Sequence, residues 1–274
     1  MTNTPARYII HGMNKQPIGV FDSGIGGLTV LRELQKQLPR ESVIYYADLA
    51  RVPYGSKTPA EIIVINEEIL AYLTKRGVKL IIVACNTSSA LALERRKDRF
   101  AVPIIGMIGP GANTAFALTK NKKIGVLATE ATVKAQAYRN ILTSLNPSVR
   151  VYEQACPRFV PLIEQGDYDS PELQSAAGEY LRPLLAAGID TLIYGCTHYP
   201  LIDVVIRRQA GERLKYVDPA AGAVHLAREI LERENLLAAG SARYEFIASA
   251  IQGGKYVRVD GREILLRRAP AYQK

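Results

Sequence analysis

One short pattern occurs twice in the chain and limits its possible folds more than any other feature. Residues 80–87 read LIIVACNT, and residues 192–198 read LIYGCTH. Each copy is an apolar run followed by a small residue, a cysteine and polar residues, so each predicts a buried strand that ends at a thiol. Because open α/β sheets bind ligands at the carboxyl ends of their strands, Cys85 and Cys196 are expected at binding positions.

A second pattern precedes each cysteine in the same order. The run IGVF at residues 18–21 returns as IGVL at residues 124–127, and its isoleucine lies 67 residues before Cys85 in one half and 72 residues before Cys196 in the other. Two matched halves predict an α/β fold with two similar three-layer lobes, mainly parallel sheets, a pseudo-twofold axis and an active site in the cleft between the lobes. We assign residues 17–110 plus 222–274 to the first lobe, 111–221 to the second lobe and 1–16 to a flexible extension.

Turn signals between these strands give further expectations. Glycine and proline at 109–111 predict a crossover between the lobes, and the prolines that bound 156–161 predict a loop. A single helix is expected to follow residue 132 and to end near Leu145. Alternating apolar runs around Asp260-Gly261 predict a hairpin, and the tail that contains it is expected to pack on the first lobe.

Composition excludes several classes of protein. The chain has 274 residues, and its hydrophobic content of 48% suits a packed core rather than disorder. No apolar run approaches the ~18 residues that a membrane span needs, so no membrane association is expected. Residues 1–16 do not read as a secretory signal. Three cysteines without a CxxC pair argue against a disulfide scaffold and indicate a cytoplasmic protein.

The formal charge of +9 suits an anionic partner, either nucleic acid or an acidic small molecule. The basic residues are dispersed, and the densest clusters, at 94–97, 120–123 and 267–268, have no aromatic residues between them. Binders of single-stranded nucleic acid usually combine positive charge with aromatic side chains on which bases stack. Nucleic acid is therefore not an expected partner, and most of this charge is assigned to solvated surface.

Two thiols at equivalent places in facing lobes suit chemistry on opposite faces of one substrate carbon. One thiolate would take a proton while the opposite thiol delivers one, which inverts the stereocentre. A free cysteine has a pKa of about 8.5, so each thiol needs a neighbour that adjusts its protonation. Asp22 at the end of the first strand and His198 beside Cys196 are the candidate helpers. Hydroxyl side chains and the amides of the glycine-rich turn would hold charged groups of the substrate.

Two alternative interpretations involve a metal ion or a dinucleotide cofactor. Cys85, Cys196 and His198 would suit zinc, although a structural site would want a fourth ligand and usually closer spacing. The GIGG run at 24–27 resembles part of a dinucleotide fingerprint, but that fingerprint needs a third glycine where Thr29 stands. We therefore predict no metal and no cofactor.

Non-catalytic interpretations also stay open. Asp22 would serve as the cap of the helix that follows it, and solvent exposure is the ordinary state of a residue such as Glu164. The whole chain would suit a binding module that closes on a small anion, or contacts DNA, without any reaction. Such a module leaves the paired cysteine motifs without a role.

Six motifs, taken together, carry a specific resemblance to a known family. They are Asp22-Ser23-Gly24-Ile25-Gly26-Gly27, Pro53-Tyr54-Gly55, Ala84-Cys85-Asn86-Thr87, Thr129 with Thr132, Cys156-Pro157 with Glu164, and Gly195-Cys196-Thr197-His198-Tyr199-Pro200. Over about residues 17–237 the chain resembles the glutamate racemases of the cofactor-independent aspartate/glutamate racemase superfamily. The resemblance implies interconversion of L- and D-glutamate between two α/β lobes, without pyridoxal phosphate or metal, to supply D-glutamate for peptidoglycan.

The resemblance also implies roles for individual residues. Cys85 would act on D-glutamate and Cys196 on L-glutamate, with assistance from Asp22, Glu164 and His198. Asp22, both cysteines and His198 would also bind substrate, together with Ser23, Pro53, Tyr54, Gly55, Ser56, Asn86, Thr87, Thr129, Thr132 and Thr197. Because members of the family are often dimers, a homodimer is expected. An aspartate racemase of the same superfamily is the alternative within this class.

Overall fold

The computed structural model places the strands in two parallel sheets and one short antiparallel pair. It describes residues 13–93 and 99–250, and the backbone of residues 256–259, 262–265 and 267–268. The strands are β1 Ile18–Asp22, β2 Val43–Ala47, β3 Leu80–Val83, β4 Ile104–Gly106, β5 Lys123–Ala128, β6 Arg150–Ala155, β7 Thr191–Gly195, β8 Lys215–Val217, β9 Tyr244–Ala248, β10 Tyr256–Val259, β11 Arg262–Leu265 and β12 Arg267–Arg268.

Helices connect these strands and cover both sheets. They are α1 Leu28–Gln37, α2 Pro59–Lys75, α3 Asn86–Ser88, α4 Ile108–Leu118, α5 Glu130–Lys134, α6 Ala137–Leu145, α7 Phe159–Glu164, α8 Pro171–Ala186, α9 Asp203–Ala210 and α10 Pro219–Arg233. Short 3-10 turns form at Met13–Lys15, Tyr54–Ser56 and Tyr199–Ile202, and a π turn forms at Ser89–Leu93. No helix among the described residues is both long enough and apolar enough to cross a membrane.

The two sheets repeat one strand order, which confirms the predicted pair of similar α/β lobes. The first sheet runs β12-β9-β2-β1-β3-β4, and the second runs β6-β5-β7-β8, with every adjacent pair parallel. The central order β2-β1-β3-β4 of the first sheet therefore matches the whole of the second. In each sheet the order changes direction beside the strand that leads to the cysteine, which is where open α/β sheets bind ligands.

Each sheet is covered by helices on both faces. In the first sheet, α1 and α10 pack on the face that carries Val20 and Ile82, and α2 packs on the face that carries Phe21 and Val83. In the second sheet, α4 and α6 cover one face, and α7, α8 and α9 cover the other. Alternate residues of a strand point to opposite faces, so strands buried on both sides need the nearly continuous apolar runs that the sequence shows.

The chain passes from the first sheet to the second where the crossover was predicted, but residues 109–111 lie inside α4 and do not form a turn. Pro110 falls in the first turn of that helix, where a missing N–H breaks no hydrogen bond. Gly111 serves close packing, since a Cβ at this position would lie 2.9 Å from Cγ of Pro219 at the start of α10. The proposed lobe boundaries at 110/111 and 221/222 stay predictions, and each falls inside a helix.

Three other predicted segments differ from the structure. The loop predicted for 156–161 gives way to α7 at Phe159, which is fully buried with Ile163 against α8. The single helix expected up to Leu145 is two helices, since Gln136 adopts the left-handed conformation with φ of 51° and separates α5 from α6. Helix α9 was not expected.

The tail joins the first sheet, as predicted. Strand β9 pairs with β2 in parallel register, with Val43 opposite Tyr244, and β12 extends the sheet beyond it. Strands β10 and β11 form the expected antiparallel pair, while the turn at Asp260-Gly261 lies outside the described residues.

Candidate active site between the lobes

A cavity of about 330 Å³ opens at the carboxyl ends of the two sheets. Its walls come from the segments that follow β1, β2 and β3 in the first sheet and β5, β6 and β7 in the second. Both predicted thiols, Cys85 and Cys196, line it. A concave site of this size, with a few polar groups converging in it, suits a small ligand.

Most of the predicted site residues meet in this cavity. Asp22 and Thr132 do not line it; both are fully buried behind its wall. The predicted residues that line the cavity are Ser23, Pro53, Tyr54, Gly55, Ser56, Cys85, Asn86, Thr87, Thr129, Glu164, Cys196, Thr197 and His198.

Cys85 lies between the end of β3 and the start of α3. Its Sγ is 4.0 Å from Oγ of Ser23, which follows β1 in the neighbouring position of the sheet. Burial, and then the nearby charge of Asp22, raise the pKa of Cys85 to about 12, against the opposing effect of hydrogen bonds from Ser88. At neutral pH the Cys85 sulfur is therefore a protonated thiol.

Cys196 is the first member of a chain of three polar groups. Its Sγ lies 3.8 Å from Nδ1 of His198, and Nε2 of His198 lies 3.2 Å from Oε1 of Glu164. Burial lowers the pKa of His198, but hydrogen bonds to Cys196 and Glu164 outweigh it and raise that pKa to about 10. The same bond from His198 lowers the pKa of Glu164. At neutral pH an imidazolium thus stands beside the Cys196 sulfur.

Asp22 joins the glycine-rich turn to the second lobe. Its carboxylate accepts hydrogen bonds from the Gly24 amide at 3.0 Å and from Oγ1 of Thr197 at 3.2 Å. Burial raises the pKa of Asp22, although the charge of His198 and these hydrogen bonds act in the opposite direction. Asp22 is the last residue of β1, in which every residue is buried, so its carboxylate lies behind the cavity wall instead of lining it.

Gly26 lets the glycine-rich turn approach the Cys196 loop closely. A Cβ built on Gly26 would lie 2.5 Å from Nδ1 of His198 and 2.6 Å from Oγ1 of Thr197. Distances under 3.0 Å are essentially absent from real Cβ contacts. Any side chain at Gly26 would therefore displace the groups that surround the Cys196 thiol.

Three threonine hydroxyls form a cluster across the lobes. Oγ1 of Thr87, from the first lobe, lies 2.9 Å from Oγ1 of Thr129 and 3.4 Å from Oγ1 of Thr132. Thr129 and Thr132 are 3.0 Å apart, and Thr129 also caps α5. A hydroxyl both donates and accepts hydrogen bonds, so this cluster is able to reorient toward a bound ligand.

The Tyr54 loop forms another wall of the cavity. The Tyr54 hydroxyl donates to Oδ2 of Asp48 at 2.5 Å, and Nε of Arg51 donates to the same oxygen at 2.6 Å. Arg51 also forms an ion pair with Glu68 on α2. These bonds fix the loop from behind, because Asp48 is fully buried.

The prediction of the cavity wall was incomplete. Val52 and Gly195 immediately precede the predicted residues Pro53 and Cys196, so extending each motif by one residue would have predicted them. Val160 and Pro161 were missed because α7 was taken as a loop. The unpredicted lining residues are Val52, Glu130, Cys156, Pro157, Val160, Pro161 and Gly195.

The described residues contain no group of three or more His, Cys, Asp or Glu side chains that could hold a metal ion. The zinc interpretation of Cys85, Cys196 and His198 therefore finds no support in the geometry. All three cysteines are free thiols, and Cys156 is buried beside Cys196, with a pKa raised by burial.

Comparison with known proteins identifies the family. The profile described as Asp/Glu/hydantoin racemase matches residues 18–227. A glutamate racemase from Trichodesmium erythraeum is 52% identical over 219 residues, which cover 80% of each chain. A glutamate racemase isoform from Bacillus anthracis is 32% identical with a TM-score of 0.88, and the match covers 95% of this chain and 100% of that one. A glutamate racemase from Francisella tularensis, solved with D-glutamate, is 37% identical with a TM-score of 0.82, and the match covers 88% of this chain and 90% of that one. The chain belongs to the Asp/Glu/hydantoin racemase family and is an isomerase similar to the glutamate racemases within it.

Proposed function

We propose that this protein interconverts L- and D-glutamate by proton transfer between the substrate Cα and two thiols, without a cofactor. The observation that carries the proposal is that Cys85 and Cys196, delivered by equivalent strands of two equivalent lobes, line one cavity. A substrate carbon held between them would present opposite faces to the two sulfurs. The D-glutamate bound by the relative from Francisella tularensis supports glutamate as the substrate.

The scheme assigns L-glutamate to Cys196 and D-glutamate to Cys85, which are the roles that the family resemblance implies. Nδ1 of the His198 imidazolium lies 3.8 Å from the Cys196 sulfur, so a positive charge stands beside the sulfur that acts as the thiolate base in the L-to-D direction. The thiolate takes the Cα proton of L-glutamate, so an S–H bond forms as the C–H bond breaks. Cys85, a protonated thiol, then gives its proton to the opposite face of the planar carbanion. The reverse reaction uses the same two sulfurs with exchanged roles.

Asp22 and Glu164 act on the thiols in different ways in this scheme. Glu164 holds the imidazolium of His198 through the bond at Nε2, which maintains the charge next to Cys196. Asp22 is close enough to Cys85 to raise the pKa of that thiol, so it keeps Cys85 protonated until the carbanion forms.

The polar wall would bind the charged ends of the amino acid. The hydroxyls of Ser23, Thr87, Thr129 and Thr197, together with the amide of Asn86, face the same cavity as the thiols. Groups of this kind donate to carboxylate oxygens without adding a competing negative charge. Thr132 would act from behind by orienting Thr87 and Thr129.

Replacement of each cysteine tests this function. Purified protein should racemise glutamate without added cofactor, and Cys85→Ala and Cys196→Ala should each abolish net racemisation. Cys156→Ala is the matched control, since Cys156 is a third buried cysteine of the same cavity for which the scheme has no proton transfer. Full racemisation by either of the first two variants would refute the two-thiol scheme. Faster turnover of aspartate than of glutamate would instead identify an aspartate racemase.

Three further parts of the proposal concern the cell and the assembly. D-glutamate made by this reaction would supply peptidoglycan synthesis, which complementation of a D-glutamate auxotroph tests. A homodimer and a cytoplasmic location are also proposed from the family resemblance. Sedimentation of the purified protein and fractionation of cells would test them separately.

A further inference from the structure

Tyr138 connects the second lobe to a residue of the cavity wall. It lies on α6, and its ring is fully buried among apolar side chains of the second lobe. Its hydroxyl donates a hydrogen bond of 2.7 Å to Oδ1 of Asn86. Asn86 follows Cys85 and lines the cavity from the first lobe. One buried phenol thus reaches across the lobes to a side chain adjacent to the Cys85 thiol.

This bond determines which end of the Asn86 amide serves the cavity. An asparagine side chain has an acceptor oxygen at one end and an NH₂ donor at the other. When the oxygen accepts from Tyr138, the opposite end is left to serve a ligand, and that end only donates. A buried phenol without a partner costs free energy, so the pairing with Tyr138 also resists rotation of the amide.

The threonine cluster does not share this restriction. Its hydroxyls bond to one another across the lobes and are able to donate or accept. Asn86 is therefore a polar residue of the wall whose direction of hydrogen bonding is fixed by a neighbour outside the cavity. A wall fixed as a donor favours a carboxylate oxygen and disfavours a group that itself donates.

We propose that Tyr138 is a positioning residue, which holds the Asn86 amide with its NH₂ group toward the cavity so that it binds a carboxylate oxygen of the substrate. The inference rests on the proposed glutamate racemase function and adds a residue that touches neither substrate nor thiol. Tyr138 would act on substrate binding rather than on proton transfer.

Kinetics of Tyr138→Phe test this role, since the substitution removes the hydroxyl and keeps the buried ring. The expected result is a KM for glutamate raised about tenfold, the scale of one hydrogen bond, with kcat within about twofold of the wild type. Tyr194→Phe is the matched control, because the Tyr194 hydroxyl donates a bond of the same 2.7 Å to Asp203 on α9 and Tyr194 is not part of the cavity wall. Its KM should equal that of the wild type.

A double-mutant cycle separates positioning from a general structural effect. Asn86→Ala should itself raise KM, and Tyr138→Phe should then add less than about a twofold change in the Asn86→Ala background, because Tyr138 acts through Asn86. An equal increase of KM in both backgrounds would overturn the inference. Asn86→Asp is a second test variant. It keeps an oxygen that accepts from Tyr138, but it places a second acceptor, instead of the NH₂ donor, toward the cavity. A wild-type KM in this variant would also overturn the inference.

Failure of the proposed function looks different from failure of this inference. Wild-type protein that does not racemise glutamate would refute both. Wild-type protein that racemises glutamate, with an unchanged KM in Tyr138→Phe, would refute the role of Tyr138 alone.

Discussion

Gly26→Ala should impair catalysis through displacement of the groups around Cys196. The added Cβ would lie 2.5 Å from Nδ1 of His198, whereas ordinary van der Waals contact begins at 3.4 Å, so about 0.9 Å of movement is needed. The backbone at Gly26 is not left-handed, so the effect is steric. A displacement of roughly 1 Å in a catalytic site costs on the order of 10²-fold in rate. Overpacking should also lower the free energy of unfolding by about 1 to 3 kcal/mol.

The assay is racemisation measured in both directions, together with urea unfolding of the same preparations. Gly109→Ala is the matched control, because a Cβ at Gly109 meets no heavy atom of the described residues within 4 Å. This control should keep the wild-type kcat/KM. If folded Gly26→Ala also keeps the wild-type kcat/KM, the proposed importance of the contact between the glycine-rich turn and His198 is refuted.

Two further predictions concern stability. Because the pKa of His198 is raised from 6.5 to about 10, its protonation contributes stability that is complete below about pH 6.5 and is lost as pH rises through about 10. The difference in unfolding free energy between wild type and His198→Gln should therefore shrink from pH 6 to pH 10, and a difference that is constant across this range would contradict the raised pKa of His198. Lys79→Met should lower the unfolding free energy by about 3 to 5 kcal/mol without changing KM, because Glu41, 2.5 Å from the Lys79 ammonium, would be left buried and uncompensated. Urea unfolding measures this loss of unfolding free energy. The double variant Lys79→Met/Glu41→Leu should recover most of the loss. A loss below about 1 kcal/mol in the single variant would contradict the buried pair.

Local sequence was sufficient to predict the strands and the two cysteines. The runs that end at Cys85 and Cys196 are apolar throughout, and strands buried on both faces require such runs wherever they occur in a sheet. The matching order of two motifs in each half then indicated two similar lobes. Capping chemistry is equally local, since Thr58 and Glu61, three residues apart, form a capping box at the start of α2.

Tertiary contacts account for what the sequence did not predict. Gly111 lies within α4, where the absence of a side chain permits close packing on Pro219 of α10, a residue far along the chain. The prolines around α7 predict a loop from the sequence, whereas in the structure this segment is a helix with Phe159 buried against α8. Asp22 was expected in the cavity, but its carboxylate lies behind the wall, where it accepts a hydrogen bond from Thr197 of the other lobe. The role inferred for Tyr138 likewise depends on a contact between lobes that no local pattern reveals.

The most direct test of the two-thiol scheme follows the Cα hydrogen of L-glutamate in heavy water at low conversion. With one thiol on each face, the D-glutamate formed should carry deuterium at Cα while the remaining L-glutamate stays largely unlabelled. Cys85→Ala and Cys196→Ala should each form no labelled D-glutamate. D-glutamate that retains the original hydrogen, or L-glutamate that gains deuterium as fast as the product does, would instead indicate a single base and contradict the scheme.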